Sequence, residues 1–195
     1  SWVRVTALGS YREVGRAMHL VTTNESKVLV DCGAKPTSNR NEVQPFFAAP
    51  EMLPLDNIDA VVITHAHVDH IGMLPVLFRF GYKGPVYCTQ PTRDLMTLLQ
   101  MDYIKVAQAE GNEAPYSKSD IQECIKHVVD VNWGEKTDIA PDIKMTMENA
   151  GHILGSSSVY MQIGEGRDEH KLLFSGDIKY EKSWLFDAAN TRFPR

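Results

Sequence analysis

The chain has 195 residues, 43% of them hydrophobic and 23% charged, with a formal net charge of −5. That is enough chain for one domain with a sizeable core, and no apolar run approaches the ~18 residues that a membrane span needs. The acidic balance argues against a nucleic-acid binder working through charge alone. Arg79, Lys83, Lys105, Lys118 and Lys126 are scattered singly and make no stripe. Cys32, Cys88 and Cys124 are an odd, widely spaced set without a C-x-x-C pair, which argues against a disulfide framework and for a reducing, cytoplasmic setting.

Residues 3–8, 17–23 and 27–31 predict an opening antiparallel meander, broken by turn signals at Gly9-Ser10 and Asn24-Glu25-Ser26. Residues 33–57 carry four Pro and no clear period, and predict a long loop with at most a short helix near Glu51. A strand over 59–64 follows, then a polar loop, then a short helix around 72–80 with Pro75 tolerated in its first turn. Residues 85–88 predict another strand.

The clearest helix runs from Pro91 to about Glu110, with Leu95, Leu98, Leu99, Tyr103 and Val106 on one face and Gly111 as a stop. Ser117-x-x-Asp120 is a capping-box-like start for a second helix to about His127. Residues 143–147, 158–163 and 171–174 predict strands. Two runs of strands flanking a helical pair at about 91–127 suit an α/β domain of two packed sheets with helices outside, spanning 1–195. There is no internal repeat and no low-complexity tract.

The most informative segment is Thr64-His65-Ala66-His67-Val68-Asp69-His70-Ile71-Gly72, which follows the apolar run Ala60-Val61-Val62-Ile63. Alternate side chains on an extended segment point the same way, so His65 and His67 can share one metal ion while Asp69 and His70 turn toward a second. Imidazole and carboxylate donors make zinc the first choice. His152 in a Gly-flanked turn and Asp177 at the end of an apolar run supply further donors. Asp177 has two oxygens and can bridge both ions. Asp31 ends the run Val28-Leu29-Val30 and suits a hydrogen bond to a ligand histidine, fixing its tautomer and aim.

The set Asp31, His65-x-His67-x-Asp69-His70, His152 and Asp177 resembles the ordered motifs of the metallo-β-lactamase fold superfamily. The flanking residues Glu13-Val14-Gly15-Arg16, Ala150-Gly151-His152-Ile153-Leu154-Gly155-Ser156 and Phe174-Ser175-Gly176-Asp177-Ile178-Lys179-Tyr180-Glu181 resemble its β-CASP nuclease branch. Within that branch the chain is most similar to the archaeal homologues of the cleavage and polyadenylation specificity factor nuclease. The resemblance implies an αββα four-layer sandwich, present here as an incomplete first half without the β-CASP insert. It also implies upstream KH-type domains, a last histidine ligand in the part beyond Asp177, and pairing of the parent as a homodimer.

The activity implied is that of a zinc-dependent ribonuclease in RNA 3′-end processing or decay, with single-stranded DNA as an alternative substrate and 5′-to-3′ exonuclease activity as a companion. A hydroxide bridging two Zn2+ ions would attack the phosphodiester. His65, His67 and His152 would hold the first ion and Asp69 and His70 the second, with Asp177 bridging and Asp69 orienting the nucleophile. Two zinc ions would also bring about four positive charges to an acidic chain. Competing expectations are a thioester or lactone hydrolase of the same fold, and a non-catalytic scaffold subunit.

Other residues fit plainer roles. His19 alternates with apolar neighbours and reads as a core or edge-strand histidine, His127 as a helix-terminal cation, and His170 as part of a solvated polar turn. Met96 and Met101 read as core filler. Arg16 sits in a Gly-bounded loop beside the cleft that the resemblance implies, where it faces either a substrate phosphate or Glu13.

Overall fold

The computed structural model describes residues 2–35 and 43–193. Of the long loop expected over 33–57, residues 36–42 therefore lie outside the described residues. The remainder of that loop carries two short 3-10 turns, Pro50–Met52 and Leu55–Asn57.

Among the described residues, ten strands form two sheets. The first contains β1 (Arg4–Gly9), β2 (Met18–Thr22), β3 (Lys27–Val30), β4 (Ala60–Val62), β5 (Val86–Cys88) and β6 (Val128–Asp130), in that spatial order. The expected meander β1–β2–β3 is antiparallel, and β3 through β6 run parallel. The second sheet is fully antiparallel and contains β7 (Lys136–Ala140), β8 (Ile143–Asn149), β9 (Ser157–Ile163) and β10 (His170–Phe174), ordered β10-β9-β8-β7.

Side-chain alternation divides the interior into two cores. Leu29 and Val61 face a core shared with the helices. Their sequence neighbours Val28, Val30, Ala60 and Val62 face Ile143, Met145, Met147, Val159, Met161 and Ile163 of the second sheet. β3 and β4 are buried on both faces, which is why they read as continuous apolar runs. Each such aliphatic side chain removed from water contributes about 1.5–3 kcal/mol.

The helices are α1 (Val68–Ile71), α2 (Leu74–Arg79), α3 (Gln90–Ala109) and α4 (Lys118–Lys126). The predicted capping box is present: the Asp120 N–H donates to Ser117 Oγ, and the Ser117 N–H donates to the Asp120 carboxylate at 2.8 Å. The buried stripe of α3 is rotated from the expected face. It runs Thr92, Met96, Gln100 and Ile104, while Leu98 is 66% and Val106 49% exposed. Two polar residues lie inside that stripe because each has a carbonyl to meet. Thr92 donates to Gly155 O at 3.1 Å, and Gln100 Nε2 donates to Ile71 O at 3.1 Å.

Among the described residues the layers run helices, mixed sheet, antiparallel sheet, which fits an incomplete version of the expected sandwich. Residues 175–193 contain neither helix nor strand and lie along the outside of β8 and β9. The Asn190 N–H donates to Asn149 O at 2.7 Å, and Phe193 stacks on Tyr160 with centroids 5.9 Å apart. His170 departs from expectation: it opens β10 opposite Ile163 and is half-buried, because the polar turn before it ends one residue earlier. His19 is within β2, half-buried with its ring 5.8 Å from Phe174, and burial lowers its pKa.

Candidate metal centre

The centre forms where the C-terminal ends of β3 and β4 meet the loops that flank β9 and β10. Parallel pairing of β3 with β4 brings Asp31 beside Thr64, and the Asp31 N–H donates to Val62 O at 2.8 Å. The second sheet joins here through its backbone, since the Ser157 N–H donates to Thr64 O at 2.8 Å. Donors from both sheets thus converge on one edge.

Each donor has a local reason for its place. After β4 the chain stays extended through His67, which begins α1 as its N-cap, so His65 and His67 align with ring centroids 4.9 Å apart. The helical turn of α1 then redirects Asp69 and His70; four residues are too few to display a period in the sequence. Gly33 lets the β3 end press against this segment: a Cβ there would lie 1.6 Å from Asp69 O. The His152 turn is shaped by Ser156, whose buried hydroxyl accepts from the N–H groups of His152 (3.1 Å) and Ile153 (3.2 Å). The hydroxyls of Thr89 and Thr92 hold Gly155 O, fixing that turn to the start of α3.

One donor atom from each of His65, His67, His152 and Asp177 lies within 4.8 Å of all the others. His152 Nε2 is 3.3 Å from His67 Nδ1 and 3.5 Å from Asp177 Oδ2, which is itself 3.8 Å from His65 Nε2. Asp69 and His70 sit beside this group. His70 Nε2 is 3.7 Å from Asp69 Oδ2 and 3.8 Å from Asp177 Oδ1. Asp177 therefore turns one oxygen toward His65 and His152 and the other toward His70.

Asp31 is buried and adopts φ 61°, a left-handed conformation that Asp tolerates better than most residues. Its Oδ1 accepts from the Thr64 N–H at 2.8 Å; its Oδ2 accepts from the Thr64 hydroxyl at 2.8 Å and lies 2.7 Å from His70 Nδ1. Thr64 went unassigned from sequence, although a hydroxyl residue directly before His65 was the available signal.

The electrostatics separate the histidines. Burial, reinforced by the neighbouring His70, pushes His65 down to about 3. Burial and then His152 lower His67. Both shifts favour the neutral imidazole, which has a lone pair to offer. Burial alone would lower His70 as well, but the Asp31 carboxylate, joined by Asp69 and Asp177, outweighs it and raises His70 to about 9.

A metal ion suits these residues on two grounds. His65 Nε2 is buried and has no hydrogen-bond partner among the described residues, a costly condition for a polar atom that is not a ligand. Three imidazoles and a carboxylate are also a donor set matched to zinc. Arg16 is engaged elsewhere: its Nε donates to Glu13 and its Nη1 to Gln44 O at 3.3 Å. Glu13 also accepts from Lys35 at 2.8 Å, and Lys35 followed by Arg16 lowers the Glu13 pKa.

The chain is similar to other proteins over varying lengths. Transcription termination factor FttA of Methanosarcina mazei is 54% identical over 194 residues, covering 100% of this chain and 30% of that protein. The proteins of the same name from Methanocaldococcus jannaschii and Thermococcus kodakarensis are each 50% identical, over 194 and 200 residues. The chain spans about 30% of the length of these curated relatives. In solved structures, the subclass B3 metallo-beta-lactamase MEM-A1 matches with a TM-score of 0.57 at 16% identity, over 93% of this chain and 66% of its own. A protein of unknown function from Enterococcus faecalis V583 matches with a TM-score of 0.63 at 15% identity, over 92% of this chain and 44% of its own. The family model for the metallo-beta-lactamase superfamily domain matches residues 20–192. That stretch takes in β3 to β10 and every donor described above, and the chain belongs to the metallo-beta-lactamase superfamily.

Proposed function

We propose that this chain carries the metal-holding part of a two-zinc nuclease of the β-CASP branch, one that hydrolyses phosphodiester bonds of RNA during transcript 3′-end formation. The observation that carries this reading is the placement of Asp177 between His65 and His152 on one side and His70 on the other. His65, His67 and His152 would hold the first ion, Asp69 and His70 the second, and Asp177 both. The set on the second side is short of a full complement, and the remaining donors are assigned to other parts of the parent protein.

Bound divalent ions would supply Lewis-acid stabilisation of charge developing on a phosphoryl oxygen. The chain's own residues do the positioning. Asp31 and Thr64 hold the histidine rings, and Asp69 presents a half-buried carboxylate that can orient an attacking water and accept its proton. Arg16 is assigned to anchoring its loop through Glu13. The choice of RNA rests on the relatives named as transcription termination factors. Three unpaired, buried thiols accord with a reducing cytoplasm, and among the described residues no helix is long and apolar enough to cross a membrane.

The test is cleavage of end-labelled single-stranded RNA by the full-length protein, with zinc content measured on the same sample. Chelator-sensitive cleavage that is lost in Asp69→Ala is the expected result. Intact RNA alongside hydrolysis of a thioester or lactone would move the site to another substrate class. A full-length protein retaining no metal would point to a scaffold.

A further inference from the structure

Thr64 is 1% exposed, and its hydroxyl meets both Asp31 and His65. Oγ1 lies 2.8 Å from Asp31 Oδ2 and 3.0 Å from His65 Nδ1. A hydroxyl has one hydrogen and a carboxylate only accepts, so that hydrogen goes to Asp31. The lone pair left on Oγ1 then accepts from His65, whose Nδ1 must carry a proton. His70 Nδ1, 2.7 Å from the same Asp31 oxygen, must carry one too. His65 is thereby left with a bare Nε2, 3.8 Å from Asp177 Oδ2, while the Nδ1 hydrogen of His70 is held at Asp31, so that Nε2 is the nitrogen of His70 left to meet an ion.

We infer that Thr64 is a positioning residue that extends the reach of Asp31 from His70 to His65, so that one carboxylate oxygen sets the tautomer of a histidine at each of the two proposed ion positions. Asp31 hydrogen-bonds His70 directly, and the threonine hydroxyl links it to His65. The missing hydrogen-bond partner at His65 Nε2 agrees with this, since a ring that donates from Nδ1 has no hydrogen left to offer from Nε2. The backbone bond from Thr64 N to Asp31 Oδ1 is independent of the side chain, so removing the hydroxyl leaves Asp31 in place. The inference rests on the metal-centre reading only for its consequence, because the tautomer is a property of the metal-free protein.

The experiment compares Thr64→Val, Thr64→Ala and Thr64→Ser in the full-length protein. With the metal removed, 15N shifts of selectively labelled histidine report the His65 tautomer. After that, zinc affinity is measured by competition with a chelator. Wild type and Thr64→Ser should show the Nδ1–H form, while Thr64→Val and Thr64→Ala should shift toward Nε2–H and lose roughly 10–100-fold in zinc affinity. Thr64→Ala keeps the comparison open if the valine methyl disturbs folding. A wild-type tautomer in either hydroxyl-free variant overturns the inference. If wild type binds no zinc, the proposed function fails while the tautomer readout still decides the role of Thr64.

Discussion

Oδ2 of Asp31 lies 2.7 Å from Nδ1 of His70, joining the end of β3 to α1 across 39 positions of sequence. A carboxylate has two accepting oxygens, and Asp31 uses both, one for the Thr64 N–H and one for His70 and the Thr64 hydroxyl. An amide has a single accepting oxygen and cannot serve both sides. Asp31→Asn, which keeps the residue class tolerant of φ 61°, should therefore weaken metal retention by roughly 10–100-fold. Zinc competition in the full-length protein measures it, and unchanged affinity would reduce Asp31 to a turn residue.

Asp177→Ala should lower the affinity of both ion positions together, because its two oxygens face different histidines. Metal content after dialysis, counted per full-length chain, distinguishes the cases. Loss of a single ion would show that Asp177 serves one position only.

Gly33→Ala should damage the centre without changing a donor. The new methyl would lie 1.6 Å from the Asp69 carbonyl oxygen, so α1 must move away from β3. Overpacking of this kind costs about 1–3 kcal/mol or more, and the displaced turn carries Asp69 and His70. A lower thermal midpoint together with weaker zinc binding is expected. A variant with wild-type values for both would mean the close approach is not needed.

The three thiols should resist alkylation in the folded protein. Burial pushes Cys32 and Cys124 up and holds Cys88 at about 12, and the reactive species is the thiolate. At pH 8 iodoacetamide should modify these positions slowly in native protein and readily in denaturant, with the native rate rising as pH increases. Peptide mapping by mass spectrometry reads it; rapid native labelling at any of the three would contradict their burial.

The donors were legible because the chemistry demanded rare residue types at the ends of apolar runs, and the runs themselves announced β3, β4, β8 and β9. The expected helix from Pro91 matches α3 within one residue at each end, and the capping box placed the start of α4. β6 and β7 gave no such signal. β6 has three residues and follows α4 with only His127 between them, while β7 is an edge strand with Ile139 as its single buried position. On α3 the apolar pattern points to Leu95, Leu99 and Tyr103, which do pack on the core, but also to the exposed Leu98 and Val106, whereas Thr92 and Gln100 are buried by partners that only the folded chain brings within reach. The same holds for Thr64, whose significance depends on Asp31, 33 positions earlier.

His65, His67, Asp69 and His70 hang from the mixed sheet, while His152 and Asp177 hang from the antiparallel one. An ion shared among them would be a clasp across the seam where Ser157 already bonds to Thr64. Ligand occupancy and adhesion between the two sheets then become linked, and any ion bound to the folded state alone raises its stability by RT ln(1 + L/Kd), with L the free-ion concentration. Conservative changes at Met145 or Val62, buried between the sheets and making no contribution to the donor set, would loosen the clasp from behind. Substitutions deep in the hydrophobic seam are thus candidates for losing metal before they lose the fold.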